Sequence, residues 1–198
     1  MNLLAHAYLS FNQPGILTGN MISDFIKGKK KFAYPPIVQQ GIALHRAIDD
    51  FTDFHPSTRE AKKHFQPQYR LYAGAFVDVV YDHFLANDPN EFAQKTVLEN
   101  FCQQTYQMLR VDSINLPLPF AEMLPYMEQQ NWLYHYSFRS GIEKSFGGLV
   151  RRARYLTESA IAYEVFNMHY EALKECYEEF FPDVKKMASE YLGAINNS

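Results

Sequence analysis

His45, Asp49 and Asp53 recur at i, i+4 spacing, which sets one imidazole and two carboxylates along a single stripe of a helix. Asp78 and Asp82 repeat that spacing further along the chain, and His83 follows at once. The second group is surrounded by Phe76, Val77, Val79, Val80, Tyr81, Phe84 and Leu85. A carboxylate in so apolar a setting loses roughly several kcal/mol of hydration unless a cation or hydrogen-bond donors compensate. A divalent metal would compensate well, and mixed imidazole and carboxylate ligands suit Mn2+, Fe2+ or Zn2+. An open His/Asp site of this kind lowers the pKa of bound water and polarises a phosphoryl oxygen, as phosphoester hydrolysis requires. His6 and Asp24 add one ligand-type residue each near the N-terminus. Arg46 and Arg59 offer planar guanidinium forks that match a phosphate.

Each signal also has a plain structural reading. The 45/49/53 stripe is what a solvated helix face looks like, and a lone histidine such as His6 is more often a hydrogen-bonded core or boundary residue. The His169-Tyr170 pair reads as packing and hydrogen bonding, and the Lys29–Lys31 run as a solvated loop. Asp82-His83 is harder to dismiss, because solvated faces do not sit among aromatics. Residue types and spacing point to a metal site without naming a substrate.

The elements that must position these residues are helical from end to end. Leu3, Leu4, Ala7, Tyr8 and Phe11 mark one face of a short helix, closed by Pro14-Gly15. A second runs roughly from Asn20 to Lys27 and stops at Gly28. Pro35-Pro36 opens a longer helix ending near His55-Pro56. Ser57-Thr58-Arg59-Glu60 has the pattern of a capping box. A long apolar helix spans Tyr69 to Leu85, and another about Glu91 to Leu109, followed by a loop around Pro117 and Pro119. Two shorter helices flank Ser140-Gly141. The last helix runs from about Glu158 to Leu192, with a break expected near Phe181-Pro182. Strand alternation, hairpin dipeptides, repeats and linkers are absent, so the expectation is one all-α domain.

Composition narrows the function classes. The chain has 198 residues, 16 Phe and 14 Tyr, enough apolar volume for a sizeable core. Its 19 basic and 22 acidic residues give a net charge of −3, which argues against a general nucleic-acid binder. Basic residues cluster locally at Lys27, Lys29, Lys30 and Lys31, and again at Arg151, Arg152 and Arg154. Cys102 and Cys176 are too few for a disulfide framework and read as core thiols in a reducing compartment. With neither a signal-peptide pattern nor an apolar run near the ~20 residues that span a bilayer, the expected setting is cytoplasmic, away from the membrane.

The same residues carry a resemblance to a known family. Asn2-Leu3-Leu4-Ala5-His6, then Gly19-Asn20, Asp24-Phe25 and Gly28, are similar to the N-terminal signature of the acyl carrier protein phosphodiesterases. Gly41-Ile42, Leu44-His45-Arg46, Ile48-Asp49, Asp53 and Arg59 resemble that family's next block, and Asp78 with Tyr81-Asp82-His83-Phe84-Leu85 the one after. Weaker likeness continues through Trp132-Leu133 and Tyr136 to Phe181-Pro182.

The resemblance implies hydrolysis of the phosphodiester between 4′-phosphopantetheine and a serine of holo-acyl carrier protein. It also implies a divalent metal, usually manganese (with Fe2+, Mg2+ or Zn2+ admissible), and a single helical domain distantly like the HD-domain phosphohydrolases. The HD order of ligands is not kept: the chain has Asp82-His83 rather than His-Asp, and Arg46 follows His45. The expected metal ligands are His45, Asp49, Asp82 and His83, with His6 and Asp24 next. His6, Asp24 and Asp78 are the expected catalytic group, Asp24 acting on the attacking water or leaving group and Asp78 supporting the ligands. Acyl carrier proteins are acidic, so Lys27 and Lys29–Lys31 are expected to dock the partner. Two other functions remain open at this point. One is an HD-like phosphohydrolase of nucleotides or small phosphoesters, needing no basic docking surface. The other is a non-catalytic helical protein that binds a carrier protein and holds no stoichiometric metal. Oligomeric state is left open.

Overall fold

The computed structural model describes residues 1–196, and every regular element in that span is helical. The chain opens with α1 (Leu3–Tyr8) and α2 (Pro14–Ile22), followed by a 3-10 turn over Ser23–Phe25 and a 3-10 segment over Gly28–Ala33. Then come α3 (Pro36–Phe54), α4 (Pro56–Tyr69), α5 (Ala73–Ala86), α6 (Lys95–Val111) and α7 (Leu118–Gln129). The chain continues through α8 (Trp132–His135), α9 (Arg139–Arg152), α10 (Ala160–Met168) and α11 (Tyr170–Asn196).

Several boundaries differ from the sequence expectation, each for a local reason. Pro14 does not close α1; it opens α2, where its missing N–H belongs to a position with no intrahelical partner. α2 ends at Ile22, so Asp24 sits on a 3-10 turn rather than on a continuous helix to Lys27. The capping box does not form. His55 caps α4 by accepting from the Ser57 amide, Ser57 Oγ donates to Glu179 at 2.8 Å, and Glu60 pairs with Lys63. Arg70 takes a φ of 46°, which separates α4 from α5 and delays α5 to Ala73. The C-terminal break falls at His169, whereas Pro182 lies inside α11 with buried Phe180, Phe181 and Val184 on its flanks.

α5 is the central rod. Phe76, Val77, Val79, Val80, Tyr81 and Leu85 are all buried, so nearly every side of this helix is covered. The aromatic excess lies in this core: Phe65 stacks on Phe76 at 5.7 Å between centroids, Phe146 meets Phe76 edge-on at 5.0 Å, and Phe180 stacks on Tyr81 at 5.0 Å. Each buried ring stabilises the fold by roughly 1.5–3 kcal/mol over its exposed state.

The approach of α2 to α3 decides what the site can be. A Cβ on Gly19 would fall 2.0 Å from the Val38 carbonyl oxygen, and one on Gly41 2.2 Å from the Ile16 carbonyl oxygen. Two glycines facing each other thus bring the helix backbones into contact. Only at that separation can a side chain of α3 reach the backbone of α2.

Candidate metal centre

His45 makes that reach. Its Nδ1 lies 2.7 Å from the Asn20 carbonyl oxygen, which can only accept, so Nδ1 carries the proton. The Asn20 side chain does the same for a second histidine. Its Nδ2 donates to the His6 carbonyl at 2.9 Å and to Ser10 Oγ at 3.1 Å, which turns Oδ1 towards His6 Nδ1 at 2.8 Å. One asparagine therefore fixes the tautomer and orientation of both imidazoles. Such partners behind the ligand are what metal-binding histidines use.

With both Nδ1 positions committed, the two Nε2 atoms face the same space. His6 Nε2 lies 3.2 Å from Asp49 Oδ1, and His45 Nε2 lies 3.1 Å from Asp49 Oδ2 and 3.3 Å from Asp24 Oδ1. The rings stack with centroids 4.0 Å apart and planes 17° from parallel. His6, His45 and Asp49 each offer one ligand atom, all within 4.8 Å of one another. Both histidines are buried, Asp49 is half-buried and Asp24 is exposed, so the cluster opens to solvent on its Asp24 side.

The electrostatics follow. In neutral imidazoles with Nδ1 protonated, both Nε2 atoms present lone pairs to carboxylates, an arrangement that calls for a proton or a cation. Burial, then repulsion from His45, lowers His6 to about 4. Burial also opposes charge on His45, yet hydrogen bonds to Asp24 and Asp49 raise it to about 9. Burial would raise Asp49, but its interactions with His45 and His6 overcome it and hold the carboxyl far below its usual range. The hydrogen bond from His45 lowers Asp24 as well. A single proton thus occupies a place with three or four donor atoms. The donor set, two nitrogens and carboxylate oxygen, fits a first-row divalent ion.

The fold gathers His45 and Asp49 with His6, while Asp82 and His83 lie outside that cluster with other partners. Asp82 is fully buried and accepts the amides of Asn2 at 3.2 Å, Leu4 at 2.7 Å and Ala5 at 3.2 Å, satisfying the free N–H groups at the start of α1. Burial pushes its carboxyl up to about 7 while those amides and the Met1 ammonium pull the other way. His83 is fixed by the Tyr136 carbonyl at 2.7 Å and the Tyr170 hydroxyl at 3.1 Å, and burial lowers it to about 4. The compensation sought for these apolar neighbourhoods comes from backbone and phenol groups.

The remaining residues divide similarly. Asp78 pairs with the Met1 ammonium at 2.8 Å, and Asp53 with Lys62 at 2.7 Å. Arg46 follows His45 and donates to the Ile26 carbonyl at 3.4 Å, tying the strand of chain that leads from Asp24 to the lysines. Arg59 lies over the Phe54 ring at 5.8 Å and makes no ion pair with the cluster among the described residues. Lys27, Lys29 and Lys30 are exposed and Lys31 half-buried, on the 3-10 segment that follows the Asp24 turn. Asn20 was not foreseen as functional. Its signal was an amide-bearing residue beside Gly19 within an otherwise apolar helix.

The family model described as acyl carrier protein phosphodiesterase matches residues 1–184. The chain belongs to the acyl carrier protein phosphodiesterase family. A relative of that name from Yersinia pestis is 29% identical over 188 residues, 95% of this chain and 97% of its own length. One from Enterobacter sp. (strain 638) is 31% identical over 182 residues, covering 92% and 94%, and one from Salmonella paratyphi A is 30% identical over 189 residues, covering 96% and 98%. No solved structure matches the chain. The family match covers α1 to α10 in full, including all four cluster residues and Asn20. Among the described residues no helix is long and apolar enough to cross a membrane.

Proposed function

We propose that the chain is a metal-dependent phosphodiesterase that releases 4′-phosphopantetheine from the serine of holo-acyl carrier protein. The observation that carries the metal is the meeting of His6 Nε2, His45 Nε2 and the Asp49 carboxylate with both Nδ1 positions already committed to Asn20. The diester and its carrier come from family membership. His6, His45 and Asp49 would hold the ion, and Asp24 stands beside them as a fourth ligand or as a base. A bound divalent ion supplies charge to the phosphoryl oxygens and lowers the pKa of water at the site.

The chain's own groups do the rest. Asn20 keeps both Nε2 lone pairs aimed at the same point. Asp24, exposed at the mouth with its carboxyl held low, accepts the proton of an attacking water. Lys27 and Lys29–Lys31 follow that mouth directly and would meet an acidic carrier, aligning its modified serine with the cluster. Manganese is the ion we infer first, with Fe2+, Mg2+ and Zn2+ as alternatives.

Incubating the purified protein with Mn2+ and holo-acyl carrier protein should remove the mass of the prosthetic group. No conversion with any of several divalent metals and carriers would overturn the proposal. Lys29, Lys30 and Lys31→Glu together should abolish turnover in a salt-sensitive manner. An HD-like enzyme acting on small phosphoesters would keep its activity in that variant. A non-catalytic binder would keep carrier capture intact in Asp49→Ala and show no turnover at all.

A further inference from the structure

A second cavity, about 710 Å3 in volume, lies where α8 and α9 meet the first residues of α1. His6, Asp24, His45 and Asp49 do not line it. Its walls carry Lys144, Arg151 and Arg152 against one carboxylate, Glu143, so an excess of positive charge is gathered in a concave space. Neither arginine forms an ion pair with a carboxylate among the described residues, whereas Lys62, Arg110 and Lys185 do.

The glycine pair inside α9 explains how the two guanidinium groups are placed. A Cβ on Gly147 would lie 3.6 Å from Arg151 Nη1, and one on Gly148 3.6 Å from Arg152 Nη1 and 3.7 Å from Arg151 Nη2. Both side chains therefore fold back one helical turn and lie over bare backbone. Two glycines in a helix interior are less favourable than two alanines. What they provide here is an open floor with two planar forks along it. Trp132, the only tryptophan in the sequence, forms part of the same lining.

We propose that this cavity is a second ligand site, taking a small phosphorylated molecule. Lys144, Arg151 and Arg152 grip the anionic end, and the body of the ligand lies against Trp132. Guanidinium forks match phosphate oxygens two at a time, and three cations suit a group with more than one negative charge. The volume falls within the range of about 300–1,000 Å3 typical of small-molecule sites and exceeds what a bare phosphate fills. The ligand has two conceivable sources: the phosphomonoester released in the proposed reaction, or an unrelated phosphorylated effector.

Trp132 is its own reporter. Titrating the full chain with inorganic pyrophosphate, in chelator so that no metal at the histidine cluster can hold it, should change Trp132 emission saturably. Arg151→Gln with Arg152→Gln should weaken that binding about tenfold or more, and His45→Gln should leave it unchanged. An absent response at millimolar pyrophosphate, or one lost in His45→Gln and kept in the arginine variant, would overturn the proposal. A parallel titration with 4′-phosphopantetheine separates the sources. Tighter binding than pyrophosphate marks a product site, and weaker binding marks a separate effector.

Discussion

Two imidazoles stacked 4.0 Å apart share their surroundings so closely that a second proton on one opposes a second proton on the other. His45 takes it, because both Asp24 and Asp49 reach its Nε2. A metal must displace this proton, whose group titrates at about 9. Metal affinity should therefore rise about tenfold per pH unit across the neutral range and level off near pH 9. Competition with a chromophoric chelator measures this directly, and a pH-independent affinity would place the ion elsewhere. Asn20 governs the same chemistry from behind. Asn20→Ala releases His6 from its tautomer, since the backbone carbonyl at position 20 still holds His45, and should lower metal affinity by about 10- to 100-fold while the protein stays folded. Of these residues, His45 and Asp49 were legible because both lie on one helix at i, i+4. His6 was legible only as a residue type, because its place beside them depends on how α1 docks, which no local period encodes.

At the level of elements, α1 is too short to stand by itself, since six residues cannot recover the cost of helix nucleation. Asp82 on α5 anchors it by accepting three amides at its start. An acid within an apolar run demands a cation or hydrogen-bond donors, and the fold meets that demand with amide N–H groups from 77 to 80 residues away. In Asp82→Asn, whichever way the new amide turns, its NH2 faces a backbone N–H. At least one buried donor is then left unpaired, at about 1–3 kcal/mol. Urea unfolding in chelator is the decisive condition. A cap predicts that the loss persists without metal, whereas a loss seen only with metal present would return Asp82 to the ligand set. The same variant should also bind metal more weakly, because a loosened α1 no longer holds His6. The other short-range device, the Gly19–Gly41 contact, was visible as two glycines in helical segments, but their facing one another was not.

For the whole molecule, the cluster draws on α1, the Ser23–Phe25 turn and α3, held together by Asn20 from α2. All-helical architecture was readable throughout, because a 3.6-residue period repeats in nearly every segment. The meeting of the N-terminal elements around one point was not, because it is set by close backbone approach and by a cap from α5. This arrangement makes metal binding a stability term for the N-terminal third of the chain. An ion that binds only the folded state, at a hundredfold excess over its Kd, should stabilise the protein by about 2.7 kcal/mol. For a domain of this size that corresponds to a rise in Tm of roughly 5–10 °C. His45→Gln should remove the metal-dependent rise while leaving the chelator-treated Tm near that of the wild type, because the large aromatic core around α5 does not involve the cluster. A metal-dependent rise that survived both His45→Gln and Asp49→Asn would mean that the stabilising ion sits outside the cluster, and the assignment of His6, His45 and Asp49 as its ligands would fall with it.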